Sequence, residues 1–229
     1  MYMEPRTIYL VRHGKTQLPD DERRYIGHCD APLSEVGIEQ ARCLQQRLDG
    51  AYITAAYCSD LSRSRRTADI IVNDKDIPIV ARQDLREIHL GEWEGCTFAD
   101  IEQRFPDDFR KRGADIVHYL VPGGESFDDC NERVLAAFHD ILATATGNIL
   151  IVGHAGVNRI ILCFVMGMPL QDLFKIRQEY GCMNVIQESI NGLQVVMMVN
   201  DGDTLSHPIS LSREGMGKQN RGAPHSSGA

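Results

Sequence analysis

Two short stretches carry the residues best suited to chemistry. The first is Ile8-Tyr9-Leu10-Val11-Arg12-His13-Gly14 and the second is Asn148-Ile149-Leu150-Ile151-Val152-Gly153-His154-Ala155-Gly156. Each is a run of apolar residues that reads as a strand buried on both faces and ends in a histidine beside glycine. A buried strand cannot hide Arg12 and His13 without a large desolvation cost. Both are therefore expected at its carboxyl end, where open α/β sheets bind ligands. Two such strands side by side would build one site from two strand ends. Taken singly, either stretch is better explained by an unrelated histidine at the start of a loop.

Arginine and glutamate add to the list of candidates. Ser59-Asp60-Leu61-Ser62-Arg63-Ser64-Arg65-Arg66-Thr67-Ala68 leaves a second apolar run, Ile53 to Cys58, and enters a helix. Three arginines at a helix start oppose the helix dipole, so a solvated face explains them, or one of them reaches an anion held at the helix terminus. Cys58 before these arginines invites a cysteine-phosphatase reading, but the arginine that this chemistry needs six residues on is replaced by Ser64. Gly14-Lys15-Thr16 resembles the end of a phosphate-binding P-loop, yet Tyr9 stands where the earlier glycine belongs. Glu87 follows a short β-like segment, ahead of Gly91-Glu92-Trp93-Glu94-Gly95. Most glutamates are solvated surface residues, and nothing local separates Glu87 from them.

Several elements must hold these residues in place. Ser34 is a plausible N-cap for a helix whose apolar positions Ile38, Ala41, Leu44 and Leu48 repeat at helical spacing. A helix is expected from Phe98 to Phe105, stopped by Pro106, and Asp107 to Val121 reads as a cap over the site. Ser126 with Asp129 resembles a capping box that opens a helix with Phe127, Cys130, Val134, Phe138, Ile141 and Ala145 on its buried face. Another helix runs from about Val157 to Met166, and Met183–Glu188 and Leu193–Val199 close a strand pair around Asn191-Gly192.

Composition narrows the function classes. The 229 residues carry a net charge of −8, which argues against a nucleic-acid partner or an acidic membrane surface. An anionic small ligand then requires locally concentrated positive charge. No apolar run approaches the roughly 20 residues of a membrane span, and no signal peptide pattern opens the chain. Seven scattered cysteines form neither a metal knuckle nor a disulfide framework, so a cytoplasmic protein with free thiols is expected. Residues 1–200 read as one domain and residues 201–229 as a flexible tail rich in Gly, Ser, Arg and Pro. Asp201-Gly202-Asp203-Thr204-Leu205 superficially resembles an aspartate-nucleophile phosphatase motif, but its spacing is one residue short.

Taken together and in order, Leu10-Val11-Arg12-His13-Gly14, Asp60-Leu61-Ser62-Arg63 with Thr67-Ala68, Glu87, Gly91-Glu92-Trp93-Glu94-Gly95, Gly123-Gly124-Glu125-Ser126 and Gly153-His154 resemble the histidine phosphatase, or phosphoglycerate mutase-like, superfamily. The resemblance spans roughly residues 6–200. It implies an α/β fold, a three-layer α/β/α sandwich with a mostly parallel central sheet and both histidines on neighbouring strands. Within that superfamily, Arg24-Tyr25-Ile26-Gly27-His28 with Asp30-Ala31-Pro32-Leu33-Ser34, and Arg177-Gln178-Glu179-Tyr180-Gly181-Cys182, look most like the alpha-ribazole phosphatases of cobalamin biosynthesis.

The resemblance assigns roles. His13 is the nucleophile that becomes phosphohistidine, Glu87 the general acid and later the base, and His154 a further phosphate donor. Arg12 and Arg63 neutralise the phosphate, which carries about two negative charges near pH 7. Glu87 then needs a raised pKa, from burial or a nearby carboxylate. Neither a metal nor another cofactor is implied, and the expected partner is a small phosphorylated substrate, with a homodimer compatible. Many relatives carry an asparagine six residues after the nucleophile, whereas this chain has Pro19. Thr16 or Arg24 is expected to replace that phosphate contact. The loop of Arg24, Tyr25 and His28 is expected to border the entrance, with Ile116 to Tyr119 supplying apolar surface above it. Alternatives are a phosphoglycerate mutase, a broad-specificity small-molecule phosphatase, and a non-catalytic phosphate sensor.

Overall fold

The computed structural model describes residues 5–20, 22–73 and 75–200. The expected tail at 201–229, with its Asp201–Leu205 motif, lies outside them. A six-stranded sheet runs through the molecule in the order β3-β2-β4-β1-β5-β6. Its strands are β1 (Arg6–Arg12), β2 (Ile53–Ser59), β3 (Ile79–Arg82), β4 (Asn148–Gly153), β5 (Met183–Ser189) and β6 (Gly192–Val199). β3, β2, β4 and β1 are mutually parallel, while β5 and β6 run antiparallel at one edge. The two histidine strands are neighbours: β1 pairs with β4 from Ile8↔Ile149 to Arg12↔Gly153.

The unbroken apolar runs are explained by burial on both faces. In β1, Ile8 and Leu10 pack into one cluster and Tyr9 and Val11 into the other; in β4, Ile149 and Ile151 part from Leu150 and Val152 in the same way. One face is covered by α1 (Glu35–Arg47) and α2 (Ser62–Val72), through Leu44, Leu48, Ala68 and Ile71. The other is covered by α5 (Phe127–Thr144) and α6 (Ala155–Met166), through Val134, Phe138, Ile141, Ile160 and Ile161. The result is the three-layer α/β/α sandwich. Fully burying each such side chain stabilises the fold by about 1.5–3 kcal/mol.

Local signals in the sequence act where expected. Ser34 caps α1 by accepting from the Gly37 N–H, and Ser126 with Asp129 forms a complete capping box at α5. Pro106 behaves differently: α3 (Phe98–Arg104) ends before it, and Pro106 then opens α4 (Pro106–Ala114) from a first-turn position, where its missing N–H costs nothing. The segment read as a cap thus begins with a helix that has no buried residue. Among the described residues no helix is long and apolar enough to cross a membrane.

Candidate active site

The carboxyl ends of β1, β2 and β4 deliver His13, Ser59 and His154 to one place. The His13 and His154 rings meet edge to face with centroids 4.9 Å apart. The His13 N–H donates to the Gly153 carbonyl at 3.1 Å, so the two strand ends are tied as well as paired. Gly14 makes the turn after β1 fit: a Cβ there would lie 2.3 Å from the Gly37 oxygen at the start of α1.

His13 is 4% exposed, and its Nδ1 lies 2.7 Å from the Gly14 carbonyl. A carbonyl only accepts, so Nδ1 carries the hydrogen and Nε2 keeps a lone pair. Burial, and then the charges of Arg12 and Arg63, hold the His13 pKa well below its ordinary value; the Gly14 hydrogen bond works weakly the other way. The ring is a neutral base near pH 7, as phosphoryl attack needs.

Arg12 stands over the Tyr180 ring, 3.8 Å from its centroid, and donates through Nη1 to the Gln178 carbonyl at 2.6 Å. That loop is held from beneath by a buried amide pair. Gln178 Nε2 donates to Asn184 Oδ1 at 3.0 Å, and Asn184 Nδ2 donates to the Leu10 carbonyl of β1 at 3.0 Å. Arg63 is 1% exposed and donates through Nη1 and Nη2 to the Cys29 and Gly27 carbonyls, both at 2.7 Å. Arg65 and Arg66, by contrast, are exposed. One arginine of the three enters the site and two form the solvated face. Burial pushes the Cys58 thiol up to about 12, far from a thiolate nucleophile.

Glu87 comes from the loop after β3. Its carboxylate accepts from the Gly156 N–H at the start of α6, 3.1 and 3.2 Å from its two oxygens, and from the Ile88 N–H at 3.1 Å. It is the one acidic residue among those lining the cavity above His13, and no second carboxylate of that lining adjoins it. Of the two sources considered for its environment, burial or a nearby carboxylate, the cavity lining supplies no second carboxylate. Arg133, on α5, clamps the backbone that carries Glu87. Its Nη1 donates to the Asp84 and Arg86 carbonyls at 2.9 and 3.1 Å, and its Nε and Nη2 hold Glu125, each at 2.8 Å. His28 Nε2 lies 2.7 Å from the Glu87 carbonyl.

Gly156 is required for Glu87. A Cβ there would fall 2.5 Å from Glu87 Oε1 and 3.3 Å from Phe127 Cε1. Gly156→Ala is expected to displace the carboxylate and lower kcat by about 10²-fold for a misplaced catalytic group. The flexible carboxylate gives way, so the thermal midpoint should move by only a few degrees; equal loss of fold and activity would contradict this.

Around His13 stand polar atoms that find no protein partner among the described residues. Arg12 Nε, Thr16 Oγ1 and His154 Nδ1 are all buried and unbonded. Buried polar groups are normally paired, so a cluster of exceptions around a cationic centre marks a place for an anion. Of the two expected replacements for the family asparagine, Thr16 is brought to this cluster. Arg24 is not: its guanidinium is bonded to Asp20 and to the Gly95 carbonyl at 3.0 Å, although it also lines the cavity.

The cavity holds about 250 Å³. Its walls include Tyr25, Phe98, Phe127, Phe174, Arg112 and Arg159. Arg24 and Tyr25 border it as expected, whereas His28 faces the backbone of Glu87 beneath it. Ile116 and Tyr119 pack on the core instead of lining it, because Tyr119 turns to Trp93, with ring centroids 5.9 Å apart. The apolar wall comes from α3, α5 and the 3₁₀ turn at Leu170–Lys175.

Comparison with known proteins follows the same geometry. The profile of the histidine phosphatase superfamily (branch 1) matches residues 8–201. An adenosylcobalamin/alpha-ribazole phosphatase from Escherichia coli (strain K12) is 31% identical over 185 residues, 78% of this chain and 88% of that protein. A protein named probable phosphoglycerate mutase, from Photorhabdus laumondii, is 34% identical over 164 residues, 71% of this chain and 75% of that one. The crystal structure of the alpha-ribazole phosphatase from Shigella flexneri superposes with a TM-score of 0.78 at 30% identity, covering 86% of this chain and 96% of that one. With two arginines, two histidines and a glutamate gathered at the carboxyl ends of the same parallel strands, the chain belongs to the histidine phosphatase superfamily, branch 1.

Proposed function

We propose that the chain hydrolyses a nucleoside-like phosphomonoester, alpha-ribazole 5′-phosphate in particular, through a phosphohistidine. The observation that carries the reading is the buried neutral His13, its Nε2 free, set between Arg12 and Arg63 under an aromatic-walled cavity. Arg12 and Arg63 take the phosphate oxygens, with Thr16 Oγ1 and His154 as further donors. Nε2 attacks phosphorus in line, the bond to the ester oxygen breaks, and Glu87 gives that oxygen its proton. A water then attacks the phosphohistidine and loses its proton to Glu87, which releases inorganic phosphate and frees His13.

Substrate choice follows from the walls. A flat base packs on Tyr25, Phe98, Phe127 and Phe174 while its phosphate sits on the arginines. A three-carbon phosphate leaves those rings wet. The adenosylcobalamin/alpha-ribazole phosphatases among the relatives support this choice, and the relative named probable phosphoglycerate mutase supports the alternative. A cytoplasmic location, a small phosphorylated substrate as partner, and compatibility with a homodimer belong to the same proposal.

A panel of phosphomonoesters assayed for phosphate release, beside a mutase assay, tests it. Alpha-ribazole 5′-phosphate should show a kcat/KM at least about 10²-fold above that of 3-phosphoglycerate, the scale of burying one aromatic group. No net isomerisation of phosphoglycerate should appear. Efficient isomerisation would sink the phosphatase reading, and indifference to alpha-ribazole phosphate would sink only its choice of substrate.

A further inference from the structure

We propose that Ser59 is a positioning residue that sets the tautomer of His154: its hydroxyl donates to Nε2, and this keeps the ring hydrogen on Nδ1, where it can be given to the phosphoryl group. The inference rests on the phosphatase reading for its purpose and on hydrogen-bond geometry for its content.

Ser59 is the last residue of β2 and is fully buried. Its Oγ lies 2.7 Å from His154 Nε2, and among the described residues that nitrogen is its hydrogen-bonding partner. The hydroxyl is itself held in place. Ser59 N–H donates to Ser64 Oγ at 3.1 Å, and Ser64 Oγ donates to the Val152 carbonyl of β4 at 2.7 Å. β2, α2 and β4 are thereby tied together two residues before His154.

The other nitrogen of His154, Nδ1, is buried and has no partner among the described residues. With Nε2 taken by Ser59, Nδ1 is the nitrogen left for a ligand. The charge state of the ring then decides what Nδ1 offers. Burial, then Arg63, His13 and Arg12, push the His154 pKa well below its ordinary value, so the ring is neutral and carries a single hydrogen. Two arrangements satisfy the 2.7 Å contact. If Nε2–H donates to Ser59, Nδ1 presents a lone pair to the anion site and repels a phosphate. If Ser59 donates to Nε2, Nδ1–H faces the anion as a donor. Only the second lets His154 assist, and a hydroxyl, which can rotate, is the group that permits it.

The two histidines then form a matched pair with opposite tasks. The Gly14 carbonyl, an acceptor, puts the hydrogen of His13 on Nδ1 and leaves Nε2 as a lone pair for attack. The Ser59 hydroxyl, a donor, does the same for His154, but here the hydrogen on Nδ1 is the useful end. A fixed donor aimed at charge that grows in the transition state is worth about 10²–10³ in kcat.

The test reads the tautomer directly and does not depend on turnover. Long-range ¹H–¹⁵N correlation spectra of the ¹⁵N-histidine-labelled wild-type protein, assigned with His154→Gln, should show His154 with the hydrogen on Nδ1. In Ser59→Ala the signal should move towards the Nε2–H form, kcat should fall about 10²-fold, and KM should change far less. Ser59→Thr, which keeps the hydroxyl, should restore the tautomer and most of kcat. An Nε2–H ring in the wild-type protein would overturn the proposal, even if no variant folds. So would an unchanged tautomer in folded Ser59→Ala. If the tautomer behaves as described while no phosphomonoester is turned over, the phosphatase reading fails and the role of Ser59 as tautomer setter stands.

Discussion

His13→Ala should abolish the phosphoenzyme and lower kcat by at least about 10⁴-fold, the scale seen when a nucleophile is removed. In the wild-type protein, a quench without acid during turnover of ³²P-labelled substrate should trap protein-bound phosphate that is lost in acid and kept in base, as a phosphorus–nitrogen bond requires. Chelators should leave turnover intact. The environment of His13 adds a pH signature. Protonation removes the Nε2 lone pair, so phosphoenzyme formation must fail on the acid side. Burial and the two arginines lower the pKa of this ring, so that failure should come below the ordinary histidine value of ~6.5. Rates of phosphoenzyme formation at substrate well below KM, which report the free enzyme, would show it across pH. A phosphoenzyme that persists in His13→Ala, or turnover near the wild-type rate, would overturn the mechanism.

Much of this site is readable from the sequence because strand burial constrains its residue types. Four apolar residues before Arg12 and five before His154, counting Gly153, have only one physical home, the middle of a sheet covered on both faces, and the charged ends then have to emerge at the edge. Ser34 and Ser126 announce helix starts for equally local reasons. What depends on convergence of distant segments is not readable. Ser59 looks like any polar residue after a strand until β2 lies beside β4 and its hydroxyl meets His154. Arg133 looks like an exposed helix residue until its guanidinium reaches three carbonyls of the Glu87 loop. Arg112 and Arg159 enter the cavity wall from helices whose faces give no hint of a ligand. Two expected contacts go to other partners. Arg24 carries the right charge for phosphate, but Asp20, four residues earlier, takes its guanidinium. Ile116 and Tyr119 have the right polarity for a wall, but Trp93 offers Tyr119 a closer partner. Pro106 stops α3 as expected and also opens α4, because proline is excluded from a helix interior and accepted in a first turn.

Glu87→Gln should separate substrates by their leaving groups. The amide has nearly the same shape, and its oxygen can still accept from the Gly156 and Ile88 N–H groups that seat the carboxylate. What it loses is the proton. An alkoxide is a poor leaving group and needs that proton in the transition state, so kcat/KM for an alkyl phosphate should fall by about 10²–10⁴-fold. Nitrophenolate leaves without help, so kcat/KM for p-nitrophenyl phosphate should fall by less than about 10-fold, because this ratio reports only the steps through phosphorylation. Hydrolysis of the phosphohistidine comes later and calls on Glu87 as base with either substrate. The variant should therefore release a burst of nitrophenolate equal to the enzyme present and then turn over slowly, as phosphohistidine accumulates on His13. Arg12 and Arg63 remain in place, so the burst should keep its amplitude. Equal losses of kcat/KM on the two substrates would show that Glu87 is not the acid. A missing burst with slow steady turnover would show that it is not the base.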